Sequence, residues 1–272
     1  MSDIHYNCAD YFGRSPEVAA ELLCADLKEE FKEAPFDALL LLGDYSLDHW
    51  AWQTKGTFLG QGISNTRLFV ERYLDKLVPA GVDVRMIPGN HEQYGEALWN
   101  TMTGHHRKEH IVIGDFLFIL TDTYGADLDP TEHSDGTYCG ADVSQIKELM
   151  ARYPDKKVIL CAHWFRMEAE SEAFCELLRR EERILCLFCG HNHKSIIMNT
   201  GEENGNKPIL CTGHYSYSGE PNNICCLPGY RVLEMDSEGI ASWYVARSHT
   251  YKLGEVTFTN EYVEQDRLDL KF

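Results

Sequence analysis

The chain has 272 residues, with 25 Lys and Arg against 43 Asp and Glu, a net charge of −18. A field of that sign repels nucleic acid and anionic membrane surfaces and disfavours both as partners. With 44% apolar and 25% charged residues, and no apolar run near the ~18 residues that span a bilayer, the composition is that of a globular domain with a substantial core.

The opening, Met1-Ser2-Asp3-Ile4-His5, is polar, unlike a secretory leader, and sets an Asp and a His two residues apart. Ser15-Pro16-Glu17 predicts a helix start, with a capping Ser, Pro in the first turn and then an acid. Val18, Leu22, Leu23, Leu27 and Phe31 follow at helical spacing. Ala38 to Leu42 reads as a short buried strand running into Gly43-Asp44. Residues 49 to 66 carry neither period, and connections of that length are often functional. Their two tryptophans, Trp50 and Trp52, and three glycines suggest a mobile cover beside Asp44. Phe69, Val70, Tyr73, Leu74 and Leu77 mark a second helix, and Val82 to Ile87 a strand leading into Gly89-Asn90-His91-Glu92.

Gly114-Asp115 sits between the apolar runs Ile111 to Ile113 and Phe116 to Leu120, which predicts a hairpin. Val143, Ile146, Leu149, Met150 and Tyr153 stripe a third helix. Val158 to Cys161 is a strand that delivers His163, Phe174, Leu177 and Leu178 lie on a helix, and Ile184 to Cys189 is a strand that delivers His191 and His193. Strands over 208–212, 230–235 and 240–245 close the chain. Alternation first and strands later predicts an α/β fold with a helix-covered mixed sheet and a second, more antiparallel sheet behind it. With no repeat, low-complexity tract or linker, residues 1–272 are expected to form a single domain. The ten cysteines mostly sit inside apolar runs, which predicts free thiols in a reducing, cytoplasmic compartment.

Four strands thus end alike, giving Asp44, then Asn90 and His91, then His163, then His191 and His193, with Asp3 and His5 as a fifth element. Ligands of open α/β sheets bind beyond the carboxyl ends of strands, so these exits predict one convergent site. Carboxylate, carboxamide and imidazole without thiolate suit Mn, Fe or Zn. Asp-x-His and His-x-His on extended backbone put both side chains on one face. Gly43, Gly89 and Gly190 precede ligands where the chain turns sharply off a strand.

D-x-H, GD, GNHE, a lone His after a strand and GHNH, in this order from Asp3 to His193, resemble the calcineurin-like metallophosphoesterases. The resemblance implies two stacked mixed β-sheets flanked by helices. It implies that Asp3, His5 and His193 hold one metal, that Asn90, His163 and His191 hold a second, and that Asp44 bridges them. It places His91 beside the phosphoryl group without a metal bond. It implies hydrolysis of phosphate esters, small-molecule phosphodiesters foremost, by a metal-bridging hydroxide; phosphomonoesters and a non-catalytic scaffold on the same fold are the alternatives. Two ions bring +4 against −2 from Asp3 and Asp44, so the site attracts a small phosphorylated substrate inside an acidic protein.

The chain departs from that pattern twice. The usual second acid of GD-x-x-D is displaced by one residue to Asp48, which is the candidate support of His91. Only Met1 and Ser2 precede Asp3, so the first strand is expected to be missing or to come from chain upstream of Met1. Trp50, Trp52, His214 and Tyr215 are candidates to line a substrate cleft, or else belong to packed loops. His105-His106-Arg107-Lys108 is read as a solvated turn, or as a grip for a substrate anion. Cys186 and Cys189 are expected on opposite strand faces, which denies them a shared ion.

Overall fold

The structure is a computed structural model and describes residues 1–7, 15–48, 64–125, 136–216, 223–253 and 255–272. β1 (Ala38–Leu42) pairs in parallel with β2 (Asp83–Ile87). A six-stranded mixed sheet has the order β3 (Glu109–Ile113), β4 (Phe116–Leu120), β5 (Lys157–Cys161), β6 (Ile184–Cys189), β8 (Pro208–Cys211), β7 (Ile197–Asn199). β9 (Tyr230–Met235), β10 (Gly239–Ala246) and β13 (Val263–Lys271) form an antiparallel sheet with β10 central. β11 (His249–Leu253) and β12 (Val256–Asn260) form a hairpin.

The strands alternate their faces, and that alternation builds the layers. Leu39 and Leu41 of β1 pack with Leu23 and Leu27 of α1 (Pro16–Glu33), whereas Leu42 packs inward with Phe116, Phe118, Ile159 and Cys161 of the six-stranded sheet. The outer face of that sheet, Leu117, Ile119, Val158 and Leu160, packs on Ile146 of α5 (Val143–Arg152) and Phe174 of α6 (Glu172–Arg180). Strands buried on both faces read as continuous apolar runs, and this explains ALLLL and ILCLFC. Cys186 and Cys189 belong to these opposite faces, so neither can share an ion with the other.

Ser15 caps α1 as expected, but the helix buries Ala19, Ala20, Leu23, Asp26 and Leu27 and leaves Val18 53% exposed. The second helix is α2 (Asn65–Phe69), widened by a π turn over Val70–Leu74 before α3 (Asp75–Leu77). An unanticipated α4 (Glu96–Thr103) ends on Gly104, whose φ of 77° is the left-handed cap that glycine adopts freely. Gly114-Asp115 forms the two-residue hairpin turn, with Ile113 opposite Phe116.

Residues 1–6 run beside β1 and the turn that follows it without forming a strand of their own. Met1 N–H donates to Leu40 O at 2.9 Å, Leu42 N–H donates to Met1 O at 2.8 Å, and Tyr6 bridges Ser46 in the parallel sense. A groove of about 830 Å³ lies between β1 and β9 and is lined by Met1, Leu40, Phe116, Phe118 and Leu233. Among the described residues, no helix is long and apolar enough to cross a membrane.

Candidate metal centre

Every expected strand exit delivers its side chain to one place. Asp44 follows β1, Asn90 and His91 follow β2, His163 follows β5, and His191 and His193 follow β6. Asp3 and His5 join them because the opening segment is laced to the Asp44 turn: Asp3 N–H donates to Gly43 O, and Ile4 and His5 N–H to Asp44 O. Asp3, Asp44, Asn90, His91 and His163 are buried, with His191 and His193 at the opening.

Three groups of side chains bring ligand atoms within 4.8 Å of one another: Asp3, His5 and His193; Asp44, His163 and His191; and His5, Asp44 and His91. Asp44 Oδ2 lies 3.2 Å from His163 Nε2, 3.6 Å from His5 Nε2 and 3.7 Å from His91 Nε2. Asn90 Oδ1 stands 2.8 Å from His163 Nε2 and 2.9 Å from His191 Nδ1. Asp3 Oδ1 is buried without a hydrogen-bond partner, 3.3 Å from His193 Nε2 and 3.7 Å from His5 Nε2. Oxygen and nitrogen donors from several strands converging within 4.8 Å, with one buried carboxylate oxygen otherwise unsatisfied, fit divalent cations. The donors are oxygen and nitrogen only, as the sequence implied.

The electrostatics agree. Burial alone would raise the carboxyls of Asp3 and Asp44, but the facing imidazoles hold both well below the usual range. Burial alone would lower His5 and His163, but Asp3 and Asp44 raise His5, and chiefly Asp44 raises His163, each to about 9. Burial, aided by nearby His5 and His163, pushes His91 down to about 3; burial and His163 push His191 to about 4.

The backbone is strained at the same residues. Among the described residues seven non-glycine positions have positive φ, and five of them are Asp3 (55°), His5 (49°), Asp44 (57°), His191 (71°) and His193 (55°). Left-handed backbone costs such residues ~1–2 kcal/mol each, and such strain clusters at functional sites. Of the glycines before ligands, Gly43 does turn with φ of 92°. Gly89 and Gly190 are instead places of close approach: a Cβ on Gly89 would sit 2.2 Å from Asp44 Oδ1, and one on Gly190 2.1 Å from Ser2 Oγ.

Asp48 accepts from Asn65 N–H at 2.8 Å and Ser64 Oγ at 2.9 Å, and from the Tyr94 hydroxyl. It caps α2 and anchors the chain three residues past His91, so its support of that loop runs through Tyr94. His214 and Tyr215 do not line a cleft. Both are fully buried; His214 Nε2 is bonded to Cys226 O and its ring stacks on His193, while the Tyr215 hydroxyl is committed to Asp26 and His249. Trp50 and Trp52, and the loop they belong to through residue 63, lie outside the described residues.

Three contributors escaped sequence reasoning. The buried Glu92 accepts N–H bonds from Asp44 at 2.8 Å, Gly89 at 2.9 Å and Ser46 at 3.0 Å, so one carboxylate ties the Asp44 turn to the Asn90 turn. Burial and the Asp44 charge raise it to about 8. It is the last letter of GNHE, which was the available signal. Arg107 is neither a solvated turn residue nor an anion grip. It is buried, pairs with Asp122 at 2.8 Å, and donates to the carbonyls of Glu92, Tyr94 and Gly125, fixing the loop after His91. Trp164 follows His163 directly and lies against His191, with ring centroids 5.4 Å apart.

No curated protein matches the chain in sequence. Among solved structures it is similar to a single mutant of Vps29 from Entamoeba histolytica, at 15% identity and a TM-score of 0.41, over 98% of this chain and 97% of that one. It is similar to Vacuolar Protein Sorting 29 from Cryptosporidium parvum at 13% identity and a TM-score of 0.36, over 88% of each chain. A novel phosphatase from Mycoplasma pneumoniae gives 12% identity and a TM-score of 0.37, over 93% of this chain and 89% of that one. The sequence model of the calcineurin-like phosphoesterases matches residues 1–195. Family membership thus rests on most of the chain, the whole ligand constellation included: this protein belongs to the calcineurin-like phosphoesterases, metal-dependent hydrolases of phosphate esters.

Proposed function

We propose that the chain hydrolyses small-molecule phosphate esters, phosphodiesters foremost, at a dinuclear centre. Asp3, His5 and His193 hold one ion, Asn90, His163 and His191 the other, and Asp44 both. The carrying observation is the position of Asp44 Oδ2, within 3.7 Å of ring nitrogens from both groups. When bound, two ions supply an activated water and charge stabilisation for in-line displacement at phosphorus.

The remaining work falls to the chain. Glu92 and Arg107 fix the loops that carry Asp44, Asn90 and His91. Burial holds the imidazolium of His91 down, and a ring that stands 3.7 Å from Asp44 Oδ2 beside the proposed ions is placed to pass a proton to the leaving oxygen.

The test is turnover of bis-p-nitrophenyl phosphate against p-nitrophenyl phosphate after reconstitution with Mn, Fe or Zn. Faster diester cleavage, lost in Asp44→Asn, is expected. Faster monoester cleavage would move the assignment to phosphomonoesterase, and no turnover with either by fully loaded protein would favour the scaffold.

A further inference from the structure

The His191 side of the centre is walled by aromatic rings to which the proposed ligand set assigns no task. Trp164 lies 5.4 Å from the His191 ring, tilted by 43°. Tyr124 stands 5.9 Å from His191 and 5.7 Å from His163. Tyr138 meets Tyr124 edge-on, at 5.5 Å and 84°. The tyrosines are set rigidly. Tyr138 OH donates to Glu170 and accepts from Arg166 N–H at 2.8 Å, and Glu170 in turn accepts from Ala141 N–H at 3.1 Å. Trp164 differs from these. It is half-buried, with one part packed on the core between the six-stranded sheet and its helices and the remainder open at the mouth beside the half-buried His191. The exposed guanidinium of Arg166 stands two residues on.

A large indole that is neither in the core nor free in solvent, set one residue from a ligand, is a platform of low conformational entropy. Building on the phosphoesterase reading above, we propose that Trp164 receives a planar aromatic ring carried by the esterified alcohol, so that the preferred substrates are phosphoesters of nucleosides or other ring-bearing alcohols. The phosphoryl group sits at the metals and the ring lies against the indole face, with Tyr124 and Tyr138 closing the side.

Base–aromatic stacking is worth a factor of about five to 150 in binding, with about tenfold at its modest end for a half-buried indole. Wild-type protein loaded with two ions should therefore bind a nucleoside 5′-monophosphate about tenfold more tightly than ribose 5-phosphate in calorimetry. Trp164→Ala should erase that preference while keeping both ions, and Trp164→Phe should restore most of it. In turnover, Trp164→Ala should raise KM about tenfold for a nucleoside phosphodiester and leave a glycerol phosphodiester within twofold. Equal losses on both substrates, or loss of an ion, would overturn the proposal and make Trp164 a support for His191. Absence of turnover would sink the hydrolase reading alone, because the calorimetric preference reports on the ring site without chemistry.

Discussion

Replacing Asp44 by Asn separates charge from shape. Asn is isosteric, tolerates the φ of 57° at this position, and keeps an oxygen for the His91 N–H bond at 3.1 Å. What it removes is the negative charge 3.2 Å from His163 Nε2. His163 is raised from 6.5 to about 9, chiefly by Asp44 against the cost of burial. At ~1.4 kcal/mol per pKa unit, holding that proton at neutral pH contributes on the order of 3 kcal/mol to the metal-free fold. The sign follows from the direction of the shifts. A histidine raised in the folded state stabilises fully below its unfolded value near 6.5 and loses that contribution as pH rises through about 9. Asp44, lowered in the folded state, contributes above its unfolded value near 3.8 and loses its share as pH falls. Urea denaturation of chelator-stripped wild type and Asp44→Asn should thus differ most between about pH 4.5 and 6.5, and converge above about pH 9. Elemental analysis after reloading should find both ions gone from the variant. A stability difference that does not change with pH, or one ion retained at full occupancy, would refute the shared-ligand role.

His91→Ala should retain both ions and the fold while kcat falls ~10²–10⁴-fold, as expected for lost acid–base help. The defect should shrink for nitrophenol leaving groups, and metal loss would instead make His91 a ligand. Glu92→Gln replaces one of the two accepting oxygens by NH2, so it should leave at least one buried N–H unpaired at a cost of ~1–3 kcal/mol and weaken both metal sites together, read by melting temperature and by metal competition with a chelator. Leu41→Ala, at a fully buried β1 position, should cost ~2–5 kcal/mol, and Leu40→Ala, beside the open groove, under about 1 kcal/mol; equal losses in denaturant titration would mean that the groove is closed in solution.

Much of this architecture could be read from the sequence, for a physical reason. Strands buried on both faces leave continuous apolar runs with sharp ends, and each end here carries a ligand, so Ala38–Leu42 and Ile184–Cys189 were bounded to the residue. The edges and the tail were harder. β13 reads Val-Glu-Gln-Asp-Arg-Leu-Asp-Leu-Lys; it has one covered face and one wet face, and its few apolar residues suggest a loop. β7 spans three residues and α4 eight, too short for either period to emerge. Within the centre, the strand exits announced where donors would gather and the family resemblance implied which of them hold metal, but partners fixed by long-range contact were not legible. Nothing local distinguishes Arg107, buried against Asp122, from its exposed neighbour His106, and nothing in the run His214-Tyr215 announces that both rings point inward.

The five left-handed ligands bear on how such a chain would drift. At ~1–2 kcal/mol each, their combined strain approaches the ~5–15 kcal/mol net stability of an ordinary domain. Exchange for glycine would relieve the backbone at each of them, but at Asp44 it would also forfeit the pairing with His163 and the bond from His91 N–H, and at Asp3 the bond from His191 N–H. Among Asp3, His5, Asp44, His191 and His193, a donor is thus dispensable to the metal-free fold only where the bonds it makes are worth less than the strain it carries.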